Sequence, residues 1–226
     1  MPTPSADAVR SPRDLARYIE HTLLAPGATA ADLERLCGEA WTHRFAAVCV
    51  QRDVAAEARR MLRGSGVRTV AVVDFPKGEG TIGVRVIEAL EAVRAGVDEL
   101  DIVAPLPALV AGRWEAVFED LRAVVRSVPV PVKVILETAL LDRDRMAAGA
   151  ALARCAGAAW VKTSTGFGGG GAKAEDVALL REVVGDGMGV KASGGIRTAA
   201  DALAMVRAGA DRIGASASVA IVTGSF

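Results

Sequence analysis

Short apolar runs alternate along the chain with amphipathic stretches of helical period. The runs rich in β-branched residues predict strands at His21–Leu24 (the weakest), Phe45–Val50, Val67–Val73, Glu99–Val103, Val132–Glu137, Ala159–Ser164, Met188–Ser193 and Arg212–Ser216. The helical period predicts helices at Ala30–Thr42, Val54–Arg63, Val84–Ala95, Trp114–Arg126, Arg143–Ala156, Ala174–Val184 and Ala200–Ala208. Nearly continuous apolar strands separated by amphipathic helices are typical of a parallel sheet buried on both faces.

The repeat of these units favours a closed barrel. Gly96, Gly157 and Gly209 each end a helical stretch, and a strand-like run follows each of them within a few residues. Eight units in 226 residues average about 28 residues each. The prediction is therefore an α/β protein with a single (β/α)8 TIM barrel over residues 1–226, with a short N-terminal helix and a flexible tail at 1–12. The alternative is an open doubly wound sheet, but no G-x-G-x-x-G opens a helix near the N-terminus.

Composition excludes several classes of protein. Half of the residues (51%) are hydrophobic, 24% are charged, and Lys plus Arg (27) equals Asp plus Glu (27). This balance is unlike a disordered chain and gives no basic excess for nucleic acid. No apolar stretch reaches the roughly 18 residues of a membrane span. Three scattered cysteines and no visible signal peptide indicate a reducing compartment, and we expect a cytoplasmic protein.

Four charged residues interrupt the predicted strands: Asp101, Lys133, Lys162 and Lys191. The three lysines are spaced by 29 residues, which places them on successive strands. Lys162 and Lys191 come at the carboxyl ends of their strands, where barrel enzymes carry their active sites. Lys133 lies earlier in its strand, and a structural ion pair with Glu137 or Asp101 is the simpler interpretation there.

Two neighbouring lysines suggest Schiff-base chemistry. At an ordinary pKa of about 10.4, only about 0.04% of a lysine amine is neutral at pH 7. Burial and a nearby cation both lower that pKa, so one lysine can attack a carbonyl while the other keeps its charge. Asp101 can orient the charged lysine and pass protons through a water. Spacing alone leaves open which lysine is the nucleophile.

Glycines and one serine follow the late strands and predict a phosphate site. Backbone N–H groups in the loops after the last strands of a barrel often bind phosphate, and they need no net positive charge to do so. The candidate residues are Gly166, Gly194, Gly195, Gly214 and Ser216.

These segments resemble the deoxyribose-phosphate aldolase family from about Leu15 to Gly224. The resemblance is carried by Lys162-Thr-Ser-Thr-Gly-Phe167, Lys191-Ala-Ser-Gly-Gly-Ile-Arg197, Lys133-Val-Ile-Leu-Glu-Thr138, Phe45-Ala-Ala-Val-Cys-Val50, Ile19-Glu-His-Thr-Leu-Leu24, Asp74-Phe-Pro-Lys-Gly78 and Glu99-Leu-Asp-Ile-Val103. It implies a class I aldolase that needs no metal or cofactor. The implied reaction is reversible cleavage of 2-deoxy-D-ribose 5-phosphate to glyceraldehyde 3-phosphate and acetaldehyde.

The resemblance also implies a role for each matching residue. Lys162 matches the Schiff-base lysine, Lys191 the second lysine and Asp101 the proton-relay carboxylate. The substrate-binding residues are Thr165, Thr22, Leu24 and Cys49, with Thr165 near the substrate hydroxyls. The glycines and Ser216 match the phosphate loops. Aldehydes and a sugar phosphate are the implied partners, with no nucleic acid or membrane, and the family suggests a homodimer.

The chain departs from the family pattern at Glu20, Asp74, Lys77, Pro105, Ala217 and Phe226. The family usually has Asp where Glu20 stands, and many members have a second serine where Ala217 stands. Pro105 lacks an amide donor near the site. These changes motivate an alternative, the same chemistry with a different, non-phosphorylated acceptor. Two others are a phosphate-binding barrel isomerase and a non-enzymatic scaffold. With His21 and His43 as the only histidines, a metal-dependent aldolase is disfavoured.

Overall fold

A computed structural model of the chain describes residues 8–226, and within them eight parallel strands close into a barrel. Each strand pairs with the next, and the last pairs with the first. The strands are β1 (Ile19–Leu23), β2 (Ala47–Val50), β3 (Arg68–Val73), β4 (Glu99–Val103), β5 (Val132–Ile135), β6 (Trp160–Lys162), β7 (Gly189–Ser193) and β8 (Arg212–Ala215). The predicted TIM barrel is confirmed, and the alternative of an open doubly wound sheet is wrong because β1 pairs with β8.

Helices cover the outside of the barrel between successive strands. Within the described range they are α1 (Ala30–His43), α2 (Ala55–Met61), α3 (Ile82–Arg94), α4 (Leu106–Val110), α5 (Trp114–Ser127), α6 (Arg143–Cys155), α7 (Ala174–Val184), α8 (Ala199–Arg207) and α9 (Ser218–Thr223). The sequence pattern missed α4 and α9, which are too short to show a helical period. Every one of these helices is too short or too polar to cross a lipid bilayer.

The helices pack on the barrel through one apolar stripe each. On α5, Val117, Leu121 and Val124 are fully buried, and their spacing of three to four residues places them on one face. The strands behind them bury both faces, as in β2, where all four residues are buried. The main hydrophobic core therefore lies between the helices and the barrel, and the barrel interior holds a buried charge cluster beside a small apolar cluster.

The chain enters the barrel through a 3-10 helix, Pro12–Tyr18. Asp14 accepts hydrogen bonds from the backbone of Arg10 (3.0 Å) and Ser11 (2.8 Å), which fixes the start of this segment. Leu15 and Tyr18 are fully buried. Residues 1–7 of the predicted flexible tail lie outside the described residues.

Candidate active site

Lys162 and Lys191 lie opposite each other in the register of β6 and β7. Both side chains point into the barrel and donate to the same oxygen, Oδ2 of Asp101, at 2.8 Å from Lys162 and 2.7 Å from Lys191. Asp101 stands on β4 and is fully buried. The three residues that the sequence proposed as catalytic are therefore in direct contact.

A second set of charges lies beneath this trio. Lys133 is 3.0 Å from Asp101 Oδ1 and 2.6 Å from Glu99 Oε2. Glu20 accepts a hydrogen bond from Lys191 and is 3.5 Å from the Lys133 ammonium. Of the two partners proposed for Lys133, Asp101 is confirmed. Glu137 is wrong, because it lies beyond the end of β5 and turns towards the loop after β6.

The alternation of carboxylates and ammonium groups sets their protonation. Burial favours the neutral acid of Asp101, but Lys133, Lys162 and Lys191 outweigh it and hold the Asp101 pKa well below its ordinary value. Burial opposes the charge of Lys191, but Asp101 and Glu20 outweigh that effect and raise the Lys191 pKa above its ordinary range. Asp101 is therefore a carboxylate and Lys191 an ammonium near neutral pH.

A cavity of about 320 Å³ opens above the lysines at the carboxyl ends of the strands. Its lining includes the predicted residues Thr22, Leu24, Lys162, Thr165, Gly166, Gly194, Gly195, Gly214 and Ser216. Lys191 and Asp101 do not line it. Lys162 is thus the one of the two paired amines that faces the space a substrate would fill.

Several lining residues were not singled out in the sequence: Leu23, Ala25, Phe167, Ser193, Ile196, Arg197 and Ala215. Arg197 is the most informative, because it brings an exposed guanidinium to the glycine loop of residues 194–195. A signal for it existed in the motif Lys191–Arg197, where a cation stands two residues after the glycine pair.

Cys49, predicted to bind substrate, does not line this cavity. Its side chain is fully buried in a small apolar cluster with Leu24, Val70 and Val72, and its Sγ is 3.9 Å from Asp101 Oδ2. Burial raises the pKa of the Cys49 thiol to about 11. The residue is therefore a protonated thiol in the barrel interior below the cavity.

Thr165 is held in place by the carboxylate of Glu137, which follows strand β5. Glu137 Oε2 accepts hydrogen bonds from the Thr165 backbone N, at 3.1 Å, and from the Thr165 hydroxyl. Glu137 is 2% exposed and has a left-handed backbone (φ 54°), which a non-glycine residue rarely adopts. The sequence pattern predicted Glu137 only as a partner for Lys133, and its contact with Thr165 was not predicted.

The residues that depart from the family pattern lie in different parts of the structure. Glu20 belongs to the buried charge cluster. Pro105 precedes α4, where its carbonyl accepts from Ala108 N at 2.9 Å. Ala217 precedes α9 and does not line the cavity, and Phe226 is 51% exposed at the chain end. The Asp74 carboxylate accepts from the backbone N of Gly80, and Lys77 is exposed.

His21 faces away from the candidate site. Its Nε2 is 2.7 Å from Glu39 Oε2 on α1, and its ring packs edge-on against Phe45. This position indicates a structural role for His21. Burial, the largest influence on this group, lowers the His21 pKa despite the opposing effect of Glu39.

Similarity to known proteins extends over almost the whole chain. A family model described as DeoC/LacD family aldolase matches residues 15–224. The deoxyribose-phosphate aldolase of Thermotoga maritima is 50% identical over 212 residues, which cover 93% of this chain and 86% of that protein. The enzyme of the same name from Thermoanaerobacter sp. (strain X514) is 47% identical over 213 residues, with coverage of 92% and 96%.

Solved structures agree with the fold. A putative deoxyribose-phosphate aldolase from Coccidioides immitis superposes with a TM-score of 0.91 at 42% identity, covering 98% of this chain and 87% of that one. The tetrameric deoxyribose phosphate aldolase of Aeropyrum pernix gives a TM-score of 0.88 at 37% identity, with coverage of 96% and 92%.

Proposed function

The chain belongs to the DeoC/LacD family of aldolases, and from that membership we propose that it works through a Schiff base on Lys162. The activity is that of a deoxyribose-phosphate aldolase, a carbon–carbon lyase. The proposed reaction is the reversible cleavage of 2-deoxy-D-ribose 5-phosphate to D-glyceraldehyde 3-phosphate and acetaldehyde.

One observation carries the assignment of the nucleophile. Lys162 and Lys191 share Asp101 Oδ2, but Lys162 lines the cavity and Lys191 is fully buried below it. Only an amine that reaches the substrate carbonyl can form an imine. Lys191 also donates to Glu20, so its ammonium is bound between two carboxylates.

In the cleavage direction, the neutral Lys162 amine adds to the aldehyde carbon of the open-chain sugar. The carbinolamine loses water and leaves an iminium, which accepts the electron pair of the C2–C3 bond when that bond breaks. The C3 hydroxyl loses its proton and becomes the carbonyl of glyceraldehyde 3-phosphate. The remaining enamine gains a proton at C2, and hydrolysis releases acetaldehyde and Lys162. Covalent catalysis replaces one difficult step by several easier ones.

The buried charges beneath Lys162 hold and move protons in this scheme. Asp101 remains ionised, so it orients the Lys162 amine through their hydrogen bond and accepts from Lys191 at the same oxygen. Lys191 supplies a fixed positive charge next to the reacting nitrogen. This trio is the relay for proton transfer to and from the carbinolamine and the enamine, with solvent water as the carrier.

The mouth of the cavity suits a phosphate. Gly166, Gly194, Gly195, Gly214 and Ser216 line it, and the backbone of Gly166, Gly194 and Gly195 has positive φ. Such glycine turns present N–H groups to an anion. Arg197 adds a guanidinium, which pairs well with phosphate oxygens. This supports a phosphorylated substrate over the non-phosphorylated acceptor.

The test of the proposed function is a comparison of kcat/KM for cleavage of 2-deoxyribose 5-phosphate and of 2-deoxyribose, with acetaldehyde release as the signal. We expect the phosphorylated sugar to be cleaved far faster, and no cleavage of either sugar by Lys162→Met. Equal kcat/KM for the two sugars would contradict the phosphate assignment. Undiminished activity of Lys162→Met would contradict the nucleophile.

Two further expectations belong to the proposal. The reaction is placed in the cytoplasm, supported by the free thiols of Cys37, Cys49 and Cys155. A homodimer, with aldehydes and a sugar phosphate as small-molecule partners, is supported by the family resemblance.

A further inference from the structure

We propose that Glu137 is a positioning residue that makes the Thr165 hydroxyl a hydrogen-bond acceptor for a hydroxyl of the substrate. The inference rests on the proposed function, since it concerns how that site distinguishes hydroxylated substrates. Thr165 touches the cavity, whereas Glu137 does not and acts only through Thr165.

The hydrogen bonds around Thr165 fix the direction of its hydroxyl. Glu137 Oε2 accepts from the Thr165 backbone N at 3.1 Å, so this oxygen is an acceptor in the site. The Thr165 hydroxyl donates its single proton to the same oxygen. The backbone N of Phe167 donates to Thr165 Oγ1 at 3.0 Å and takes one of its two lone pairs.

One lone pair of Thr165 Oγ1 remains, and the residue lines the cavity. A hydroxyl whose proton is already bound can only accept from a ligand. It therefore binds a substrate O–H and has no proton to offer to a carbonyl or ether oxygen. Without the carboxylate, the Thr165 proton would rotate freely, and this selectivity would be lost.

The Glu137 side chain makes no other hydrogen bond among the described residues. Its Oε1 is buried without a hydrogen-bond partner in that part of the chain, although unsatisfied buried oxygens are costly. The chain also lies directly on this side chain, because a Cβ on Gly168 would be 2.8 Å from Glu137 Cδ. Both hydrogen bonds of the Glu137 side chain are with Thr165.

The experiment compares two reactions that both proceed through an imine on Lys162. Cleavage of 2-deoxyribose 5-phosphate uses a substrate with hydroxyls, whereas deuterium exchange at the methyl group of acetaldehyde uses none. The variants are Glu137→Met, which keeps length but removes both oxygens, and Glu137→Gln, which keeps one acceptor oxygen. Thr165→Val and Thr165→Ser form the matching pair at the hydroxyl.

We expect Glu137→Met and Thr165→Val each to lower kcat/KM for cleavage about tenfold more than they lower exchange, the size of one hydrogen bond. Glu137→Gln and Thr165→Ser recover most of that loss. The double variant Glu137→Met/Thr165→Val is no slower than the slower single variant, because both remove the same interaction.

Three results would overturn the proposal. The first is equal loss of cleavage and exchange in Glu137→Met, which indicates general damage to the barrel. The second is a double variant whose fold-loss in kcat/KM for cleavage equals the product of the two single losses. The third is wild-type cleavage by Thr165→Val, which is decisive even where Glu137→Met does not fold. A wild-type protein inactive in both reactions would instead refute the proposed function.

Discussion

Lys162 and Lys191 donate to one oxygen of Asp101, yet only Lys162 faces the cavity. Lys191 has a second carboxylate, Glu20, whereas Asp101 is the single ion-pair partner of Lys162 within residues 8–226. The two amines therefore differ in access and in the number of carboxylates that bind them. In the proposed mechanism, this difference separates the reacting lysine from the lysine that keeps its charge.

Replacement of Asp101 by Asn should destabilise the barrel as well as slow the reaction. Asp101 is fully buried and contacts three ammonium groups. Removal of one partner from a buried ionic cluster costs about 3 kcal/mol or more. We expect Asp101→Asn to lower the free energy of unfolding by about that amount at neutral pH, measured by urea denaturation.

The pH dependence of this loss in the free energy of unfolding follows from the Asp101 pKa. Because the folded pKa lies well below the unfolded value of about 3.9, Asp101 contributes stability above that pH and loses it as the pH falls further. The stability difference between wild type and Asp101→Asn should therefore be constant from about pH 5 to pH 7 and shrink towards pH 2. A difference that grows in acid would contradict this assignment.

Arg197→Ala should weaken phosphate recognition selectively. Its guanidinium lines the cavity mouth beside Gly194 and Gly195. We expect KM for 2-deoxyribose 5-phosphate to rise about tenfold, with little change in cleavage of 2-deoxyribose, because an ionic hydrogen bond to phosphate contributes about 1.5 kcal/mol or more. Arg207→Ala removes an exposed cation at the other end of α8 and serves as the control. Equal effects on the two sugars would exclude a role in phosphate binding.

The cysteines should differ sharply in reactivity. Burial raises the pKa of both Cys37 and Cys49 to about 11, whereas Cys155 is exposed. At about pH 8 a disulfide reagent should label Cys155 rapidly and the other two only after unfolding, since the thiolate is the reactive form. Cys155→Ser should abolish the rapid phase. Rapid labelling of Cys49 in the folded protein would contradict its buried, protonated state.

The sequence predicted the barrel and the cluster of Asp101, Lys162 and Lys191 for the same reason. Strands buried on both faces are apolar, so Asp101, Lys162 and Lys191 are conspicuous within them, and their spacing places them at equivalent positions of repeated units. The glycines of the cavity mouth could be predicted because each lies at the end of a strand or in the loop that follows it. The local sequence pattern was sufficient to predict residues that lie within one β-strand and the loop that follows it.

Contacts between distant segments were not predictable in this way. Glu137 follows its strand and is close in sequence to Lys133, so pairing with Lys133 was expected, but its left-handed backbone turns it to Thr165 instead. Cys49 was expected at the substrate, but the cavity opens above the apolar cluster that contains it. The first outcome depends on side-chain direction at a strand end and the second on depth within the barrel, and a linear pattern contains neither.

The most direct test of the account is borohydride trapping with acetaldehyde, followed by peptide mapping. The chain has five lysines, and only Lys77 and Lys173 are exposed, so background labelling should be low. We predict one reductive ethyl adduct, located on Lys162, absent in Lys162→Met and retained in Lys173→Ala. An adduct on Lys191, or no adduct in the folded wild-type protein, would contradict the assignment of Lys162 as the Schiff-base lysine.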